Sequence, residues 1–161
     1  MPSANNIAFT APINPPGVTP VIKREQMWAG LLLKARSAET FIPDAIESTA
    51  VISETTDPST ENTVIVREVV FRGSPQKVKE TVTAYADARV DFEQPSGTYI
   101  GNIISDGADG ELYLTYVFEL KHPGVSEEEM RALYAKERAM SGKAVQGTID
   151  VVRELLKEGK L

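Results

Sequence analysis

The stretch Ser126-Glu127-Glu128-Glu129-Met130 has the pattern of a helix start. The Ser126 hydroxyl and the Glu129 carboxylate can each accept a hydrogen bond from a free backbone N–H of the first turn, which makes a capping box. Apolar residues then recur at helical spacing as far as Leu156, and Gly159 suits the C-terminal end. We therefore predict a helix from Ser126 to about Gly159. Its length of roughly 45 Å matches the width of a domain this size, so it needs a broad surface to cover.

The middle of the chain supplies that surface, because its apolar residues change to a period of two. An edge strand (residues 7–11), a Pro-rich loop, a helix (24–37) and a helical turn (38–41) come first. Further strands are predicted over residues 46–53, 63–72, 77–85, 88–93, 99–105 and 111–121, joined by turns rich in Gly, Pro, Asp and Ser. The fold class is therefore α+β. A curved antiparallel sheet of about six to seven strands wraps around the long C-terminal helix, with two short helices after strand 1, in one domain spanning residues 1–161.

Composition excludes several classes of protein. A net charge of −6 argues against general binding to nucleic acid or to acidic membranes. The absence of cysteine excludes disulfides and thiolate metal sites, and a single histidine does not favour zinc. No apolar run reaches the roughly 20 residues of a membrane span, and there is no dinucleotide or phosphate-loop fingerprint. We expect a cytoplasmic monomer or homodimer with no cofactor, no metal, no nucleic-acid partner and no membrane insertion.

Three stretches carry a resemblance to a known family. They are Ile13-Asn14-Pro15, the sequence Arg-Glu-Gln-Met-Trp-Ala-Gly-Leu at residues 24–31, and Val-Gln-Gly-Thr-Ile at residues 145–149. The order of elements is similar to the helix-grip fold of the START/SRPBCC superfamily, and these stretches resemble its acetylaranotin-biosynthesis-cluster protein L branch. The resemblance implies the helix-grip fold and an aromatic or polycyclic ligand of secondary metabolism. It brings no catalytic motif, and the superfamily includes carriers, cyclases and structural members.

Charged residues on apolar faces are the candidates for chemistry. Glu80 falls on the apolar face of the strand at 77–85, and Arg67 falls on the bulkier face of the strand at 63–72. The other face of that strand, which carries Glu68, is nearly as apolar. The predicted catalytic residues, expected to line one cavity with Tyr134, are Glu80, Glu137, Arg67 and Tyr116. The predicted ligand-binding residues are Tyr134, Trp28, Phe71, Val82, Phe92, Phe118, Met130 and Ser141.

These groups suit cofactor-free proton transfer. A carboxylate in an apolar pocket has a raised pKa and can act as an acid or base near neutral pH, while an arginine can stabilise an enolate. The resulting hypothesis is a cyclase, isomerase or dehydratase that acts on a hydrophobic aromatic or polycyclic intermediate. Two alternatives remain open: a non-catalytic carrier of such a metabolite, and an interaction protein with a filled core.

A structural interpretation of the same residues also stands. A Glu and an Arg on neighbouring strands more often form a buried ion pair than a catalytic couple, and this is the favoured interpretation of Glu80 and Arg67. Tyr116 and Tyr134 are then core aromatics with a hydrogen-bonded hydroxyl. His122 lies in a Lys-His-Pro-Gly turn and is expected to be solvated.

Overall fold

The computed structural model describes residues 3–161. Its elements in chain order are β1 (Ala4–Pro12), α1 (Arg24–Arg36), a 3-10 turn (Ala38–Thr40), β2 (Ile46–Thr56), β3 (Thr63–Phe71), β4 (Lys77–Tyr85), β5 (Arg89–Glu93), β6 (Tyr99–Asp106), β7 (Leu112–Lys121) and α2 (Glu127–Lys157). Every predicted helix and strand is present. The predicted boundaries differ from the observed ones by no more than three residues.

All seven strands form one antiparallel sheet in the order β1-β7-β6-β5-β4-β3-β2. The two edges are therefore β1 and β2. Two register shifts interrupt β2, between Ile46 and Ser48 and between Val51 and Ser53. Such bulges bend the strand that carries them and increase its twist, which suits a sheet that curves around a helix. The predicted fold class is confirmed.

The long helix α2 begins with the predicted capping box. Glu129 N–H donates to the Ser126 hydroxyl at 3.1 Å, and Ser126 N–H donates to the Glu129 carboxylate at 2.7 Å. The C-terminal half of α2, from Ser141 onward, packs deeply, whereas residues 131–140 are exposed or half-buried. The first half of α2 therefore leaves space beneath it. Among residues 3–161, no helix is both long enough and apolar enough to cross a membrane.

The buried face of α1 differs from the predicted one. The apolar spacing in this segment predicts a buried side of Trp28, Leu31, Leu32 and Ala35, with Met27 at its edge; Leu31 and Ala35 are buried as predicted. In the structure Trp28 and Leu32 are half-buried, while the buried positions are Met27, Gly30, Leu31, Lys34 and Ala35. These five residues follow the spacing i, i+3, i+4, i+7, i+8 of a helical stripe. This rotation brings a lysine into the core of the protein.

A close contact between the two helices fixes this rotation. A Cβ atom added to Gly30 would lie 2.5 Å from the Val152 Cγ2 atom of α2, a distance that real Cβ contacts essentially never show. Glycine therefore allows α1 to approach α2 at this point. With Gly30 held against Val152, Lys34 lies one turn further along the same face.

Candidate functional site

A group of buried polar side chains lies where the C-terminal end of α1 meets the sheet. We call it the inner cluster, and its members are Lys34, Arg67, Glu80, Gln94 and Asn102. Arg67 on β3 and Glu80 on β4 are direct cross-strand partners. The Arg67 guanidinium donates to Glu80 Oε1 from Nη2 at 2.7 Å and from Nε at 3.0 Å, and both side chains are only 5% exposed. Arg67 therefore points inward, as the sequence favoured.

The remaining polar atoms of this ion pair are also engaged. Arg67 Nη1 donates to the backbone carbonyls of Lys34 and Ala35 at 3.0 and 2.9 Å. These carbonyls belong to the last turn of α1, where carbonyl groups have no partner within the helix. Gln94 Nε2 donates to the second oxygen of Glu80 at 2.9 Å. Arg67 thus ties the end of α1 to the sheet, and a catalytic role for Arg67 or Glu80 stays a prediction.

Lys34 is the charged member of the inner cluster that has no ion-pair partner among the described residues. Its Nζ donates to Asn102 Oδ1 at 2.8 Å and lies 5.0 Å from the ring centroid of Phe92 and 4.6 Å from that of Tyr116. Burial, and secondarily the nearby positive charge of Arg67, lowers the pKa of Lys34 to about 7, while Glu80 acts in the opposite direction. A substantial share of the Lys34 side chains is therefore neutral amine near neutral pH.

Sequence reasoning did not single out Lys34 or Asn102, although signals for both exist. Lys34 completes the helical stripe of α1, and Asn102 alternates with Ile100 and Ile104 on β6. In the structure Asn102 is fully buried, and its amide nitrogen has no hydrogen-bond partner in the described part of the chain. Buried polar atoms are nearly always hydrogen-bonded, so an unpartnered donor beside a lysine is unusual.

A small cavity adjoins the inner cluster. Its volume is about 110 Å³, and it is lined by Lys34, Ala38, Ile42, Ile46, Arg67, Phe71, Glu80, Phe92, Gln94 and Ile100. Two of the predicted ligand-binding residues, Phe71 and Phe92, line this cavity. Its walls combine aromatic and aliphatic surface with one amine, one guanidinium and one carboxylate.

A larger apolar groove runs between the exposed half of α2 and the sheet. Its volume is about 370 Å³, and it is lined by Ile42, Ala45, Ile100, Phe118, Leu120, Leu133, Lys136, Glu137, Met140, Ser141 and Ala144. The predicted residues Phe118, Ser141 and Glu137 are among them. Ile42 and Ile100 line both the groove and the small cavity, so the two spaces adjoin. The inner cluster is thus next to the groove, with the small cavity between them.

A second polar group lies beside the groove, and we call it the outer cluster: Asn5, His122 and Glu137. Asn5 Nδ2 donates to Glu137 Oε1 at 2.6 Å, and His122 Nε2 lies 2.8 Å from Glu137 Oε2. The prediction that His122 is a solvated loop residue is wrong, because its side chain is only 23% exposed and contacts this carboxylate. The fold of the turn before α2 brings His122 back against the helix.

The structure corrects the expectation of a single shared cavity. Arg67 and Glu80 belong to the inner cluster, Glu137 belongs to the outer cluster, and Tyr134 is 38% exposed. The Tyr116 hydroxyl lies 2.6 Å from the Thr148 hydroxyl, and burial raises the pKa of Tyr116. The predicted site residues that line neither the groove nor the small cavity are Tyr116, Tyr134, Trp28, Val82 and Met130. Val82 is instead fully buried core, and Met130 is buried in the first turn of α2.

The seven-stranded curved sheet, the long helix packed on it and the apolar groove between them define a helix-grip protein. Residues 7–159 match the family model described as acetylaranotin biosynthesis cluster protein L, and the chain belongs to this family. No curated protein matches the chain.

Solved structures support the fold at low sequence identity. The di-domain ARO/CYC StfQ from the steffimycin biosynthetic pathway aligns with a TM-score of 0.59 and 9% identity, over 96% of this chain and 52% of that one. Ara h 8.0201 aligns with a TM-score of 0.52 and 12% identity, over 96% of this chain and 99% of its own. The AHSA1-like protein from Aeromonas hydrophila aligns with a TM-score of 0.50 and 12% identity, over 97% and 95% of the two chains.

Proposed function

We propose that this protein binds a small hydrophobic, aromatic or polycyclic metabolite in the groove and promotes its cofactor-independent cyclisation, isomerisation or dehydration. The observation that carries the proposal is the buried Lys34 amine at the wall of the small cavity that adjoins the apolar groove. An amine that is partly neutral near pH 7 can accept a proton from a bound substrate, which an ordinary protonated lysine cannot do.

The shape of the site supports a ligand of modest size. Ligand pockets usually measure roughly 300–1,000 Å³ and combine mainly apolar walls with a few polar groups. The groove, at about 370 Å³, lies within this range, and its walls are mostly apolar. The family name refers to a biosynthesis cluster, and the StfQ title names an ARO/CYC protein of a biosynthetic pathway. Both favour a metabolite over a macromolecule as the partner.

The polar groups divide into a buried inner set and a partly exposed outer set. Lys34 is the candidate base of the inner set, and Arg67 supplies positive charge nearby that favours a developing enolate. Glu137 is the carboxylate that lines the groove and is the candidate acid or base of the outer set. Glu80 and the Tyr116 hydroxyl are buried and have protein partners, which makes them less suited to proton transfer than Glu137, which also has protein partners but lines the open groove.

The alternative function is a carrier of the same kind of metabolite. The hydrogen bonds of Arg67, Glu80 and Tyr116 favour the carrier, because polar groups that already have protein partners are less available to react with a ligand. The two functions separate on mutation once a ligand is identified. In an enzyme, Lys34→Met abolishes turnover and leaves ligand affinity nearly unchanged, whereas in a carrier it alters affinity or has no effect.

The first experiment is native mass spectrometry of the protein purified from its own host, with any retained small molecule identified after denaturation. Recovery of a hydrophobic metabolite bound one-to-one supports the proposal. Recovery of a substrate together with its cyclised or dehydrated form supports the enzyme over the carrier.

Titration with an apolar fluorescent probe tests the groove directly. We expect saturable one-to-one binding that Ala144→Phe abolishes, because Ala144 lines the groove and a phenyl ring there would fill it. The matched control is Ala135→Phe on the exposed side of the same helix, which should bind normally. Absence of probe binding to the unmodified protein would support the third interpretation, an interaction protein with a filled core.

A further inference from the structure

The surroundings of the Lys34 side chain differ from those of a buried lysine whose charge is neutralised by a carboxylate. It makes no ion pair with any residue in the range 3–161, since the nearby Glu80 is occupied by Arg67 and Gln94. Its amine instead faces two aromatic rings and one amide oxygen. Aromatic faces stabilise an ammonium only in part, and a fully buried charge without a counterion is costly. The environment therefore favours the neutral amine, which is the nucleophilic form.

Asn102 provides a second feature of this site. One end of its amide accepts the hydrogen bond from Lys34, and the other end, Nδ2, is a buried donor with no partner among the described residues. The two ends of one amide are held in a rigid plane, so a free N–H donor is fixed close to the Lys34 amine. Asn102 does not line the small cavity, so its amide acts by holding the Lys34 amine in place through Oδ1.

A buried amine at the wall of a cavity, without a counterion, matches the chemistry of a carbonyl group. We propose that the Lys34 amine, held by Asn102 Oδ1, forms an imine with an aldehyde or ketone group of the bound metabolite. Lys34 Nζ attacks the carbonyl carbon, and the oxygen takes up the two protons of the amine in turn and leaves as water. One C=N bond replaces the C=O bond, and no oxidant, reductant or cofactor takes part.

This inference rests on the proposed function and specifies its substrate as a carbonyl compound. Protonation of the imine gives an iminium ion, which acidifies the neighbouring C–H groups and prepares the carbon skeleton for cyclisation, isomerisation or loss of water. The carbonyl end would occupy the cavity of about 110 Å³, and the apolar body would extend past Ile42 and Ile100 into the groove. Water would return the free amine at the end of the reaction.

The test is reductive trapping of the full chain with benzaldehyde and sodium cyanoborohydride at pH 7, followed by intact mass measurement and peptide mapping. With a pKa of about 7, half of the Lys34 amines are neutral. For an exposed lysine of ordinary pKa the neutral fraction is roughly 1 in 2,500. We therefore expect a benzyl group that maps to Lys34 and is incorporated at least ~10-fold faster than at any exposed lysine. Mapping also separates this product from reaction at the terminal amine.

Variants and competition make the test specific. Lys34→Met should remove the fast-reacting site, whereas Lys79→Met, which removes an exposed lysine that lines neither the groove nor the small cavity, should leave it intact. The apolar fluorescent probe should slow the labelling of Lys34. Labelling that is confined to exposed lysines while Lys34 stays unmodified would overturn the imine inference.

The failure of this inference can be distinguished from the failure of the proposed function. If the fluorescent probe binds the groove and no adduct forms at Lys34, the imine is wrong and metabolite binding still stands. If neither the probe nor benzaldehyde binds, both proposals fail. Because the mapping is done on the unmodified chain, the result does not depend on the folding of any variant.

Discussion

The inner and outer clusters each pair a carboxylate with a nitrogen base, yet they differ in their surroundings. The Arg67–Glu80 pair is 5% exposed on both sides, whereas the His122–Glu137 pair is 23% and 15% exposed. Charges in a dry site interact far more strongly than charges that water screens. The inner cluster therefore holds α1 on the sheet and shifts the pKa of Lys34, while the outer cluster is a local contact at the side of the groove.

The largest effect should come from breaking the inner ion pair. Arg67→Ala leaves Glu80 charged and buried, and it removes the donors that satisfy the last carbonyls of α1. We expect the free energy of unfolding to fall by roughly 3–5 kcal/mol, as measured by urea denaturation. The matched control is Arg36→Ala, because Arg36 pairs with Glu54 at an exposed position and should cost less than about 1 kcal/mol. Equal losses of unfolding free energy in Arg67→Ala and Arg36→Ala would show that water screens the charges of the inner cluster.

A smaller effect should appear in the dependence of stability on pH. Folding lowers the pKa of Lys34 from an ordinary value of 10.5 to about 7. Between these values the unfolded chain keeps a proton on Lys34 that the folded chain has released, so stability rises with pH. Below about pH 7 both states are protonated, and the cost of the buried charge is present in full. The rise due to Lys34 should approach roughly 1 kcal/mol per pH unit in urea melts taken between pH 7.5 and 9.5.

The variant Lys34→Met isolates this contribution. It removes the titrating amine and keeps a side chain of similar length in the buried stripe of α1. The unfolding free energy of the unmodified protein should rise steadily relative to that of Lys34→Met from pH 7.5 to pH 9.5. Parallel pH profiles for the two proteins would mean that Lys34 stays charged in the fold, and the contrast between the two clusters would lose its main support.

The two clusters also differ in how far the sequence predicts them. The change from helical period to period two located every strand, and alternation along β3 and β4 placed Arg67 and Glu80 on inward faces. These predictions succeed because a strand offers only two faces. A helix offers a continuous range of faces, and on α1 the stripes that begin at Met27 and Trp28 share Leu31. Contacts with the rest of the fold, among them that of Gly30 with Val152, decide between them and place Lys34 inside.

Sequence patterns do not predict the outer cluster, for a different reason. Asn5 and Glu137 are 132 residues apart in the chain, and no local pattern links an edge strand to a position on α2. The sequence predicts a solvated His122, because turn residues usually lie at the surface. Its contact with Glu137 depends on how the turn at Pro123 and Gly124 returns the chain onto the sheet. The division of the site into a groove and a small cavity likewise depends on how α2 packs on the sheet, which periodicity does not encode.

The smallest effect should come from neutralising the outer carboxylate. Glu137→Gln keeps an amide oxygen that can accept from Asn5 or His122, and the site is partly open to water. We expect the free energy of unfolding in urea to change by less than about 1 kcal/mol.

The matched substitution in the inner cluster, Glu80→Gln, should lower the free energy of unfolding several times more, because it leaves the Arg67 charge buried without a counterion. It should also lower the pKa of Lys34 below about 7, since Glu80 is the charge that raises it. If Glu137→Gln and Glu80→Gln lower the free energy of unfolding by equally small amounts, the charges in the two clusters are equally screened. The lowered pKa of Lys34 is then caused by its own burial and by the charge of Arg67 alone.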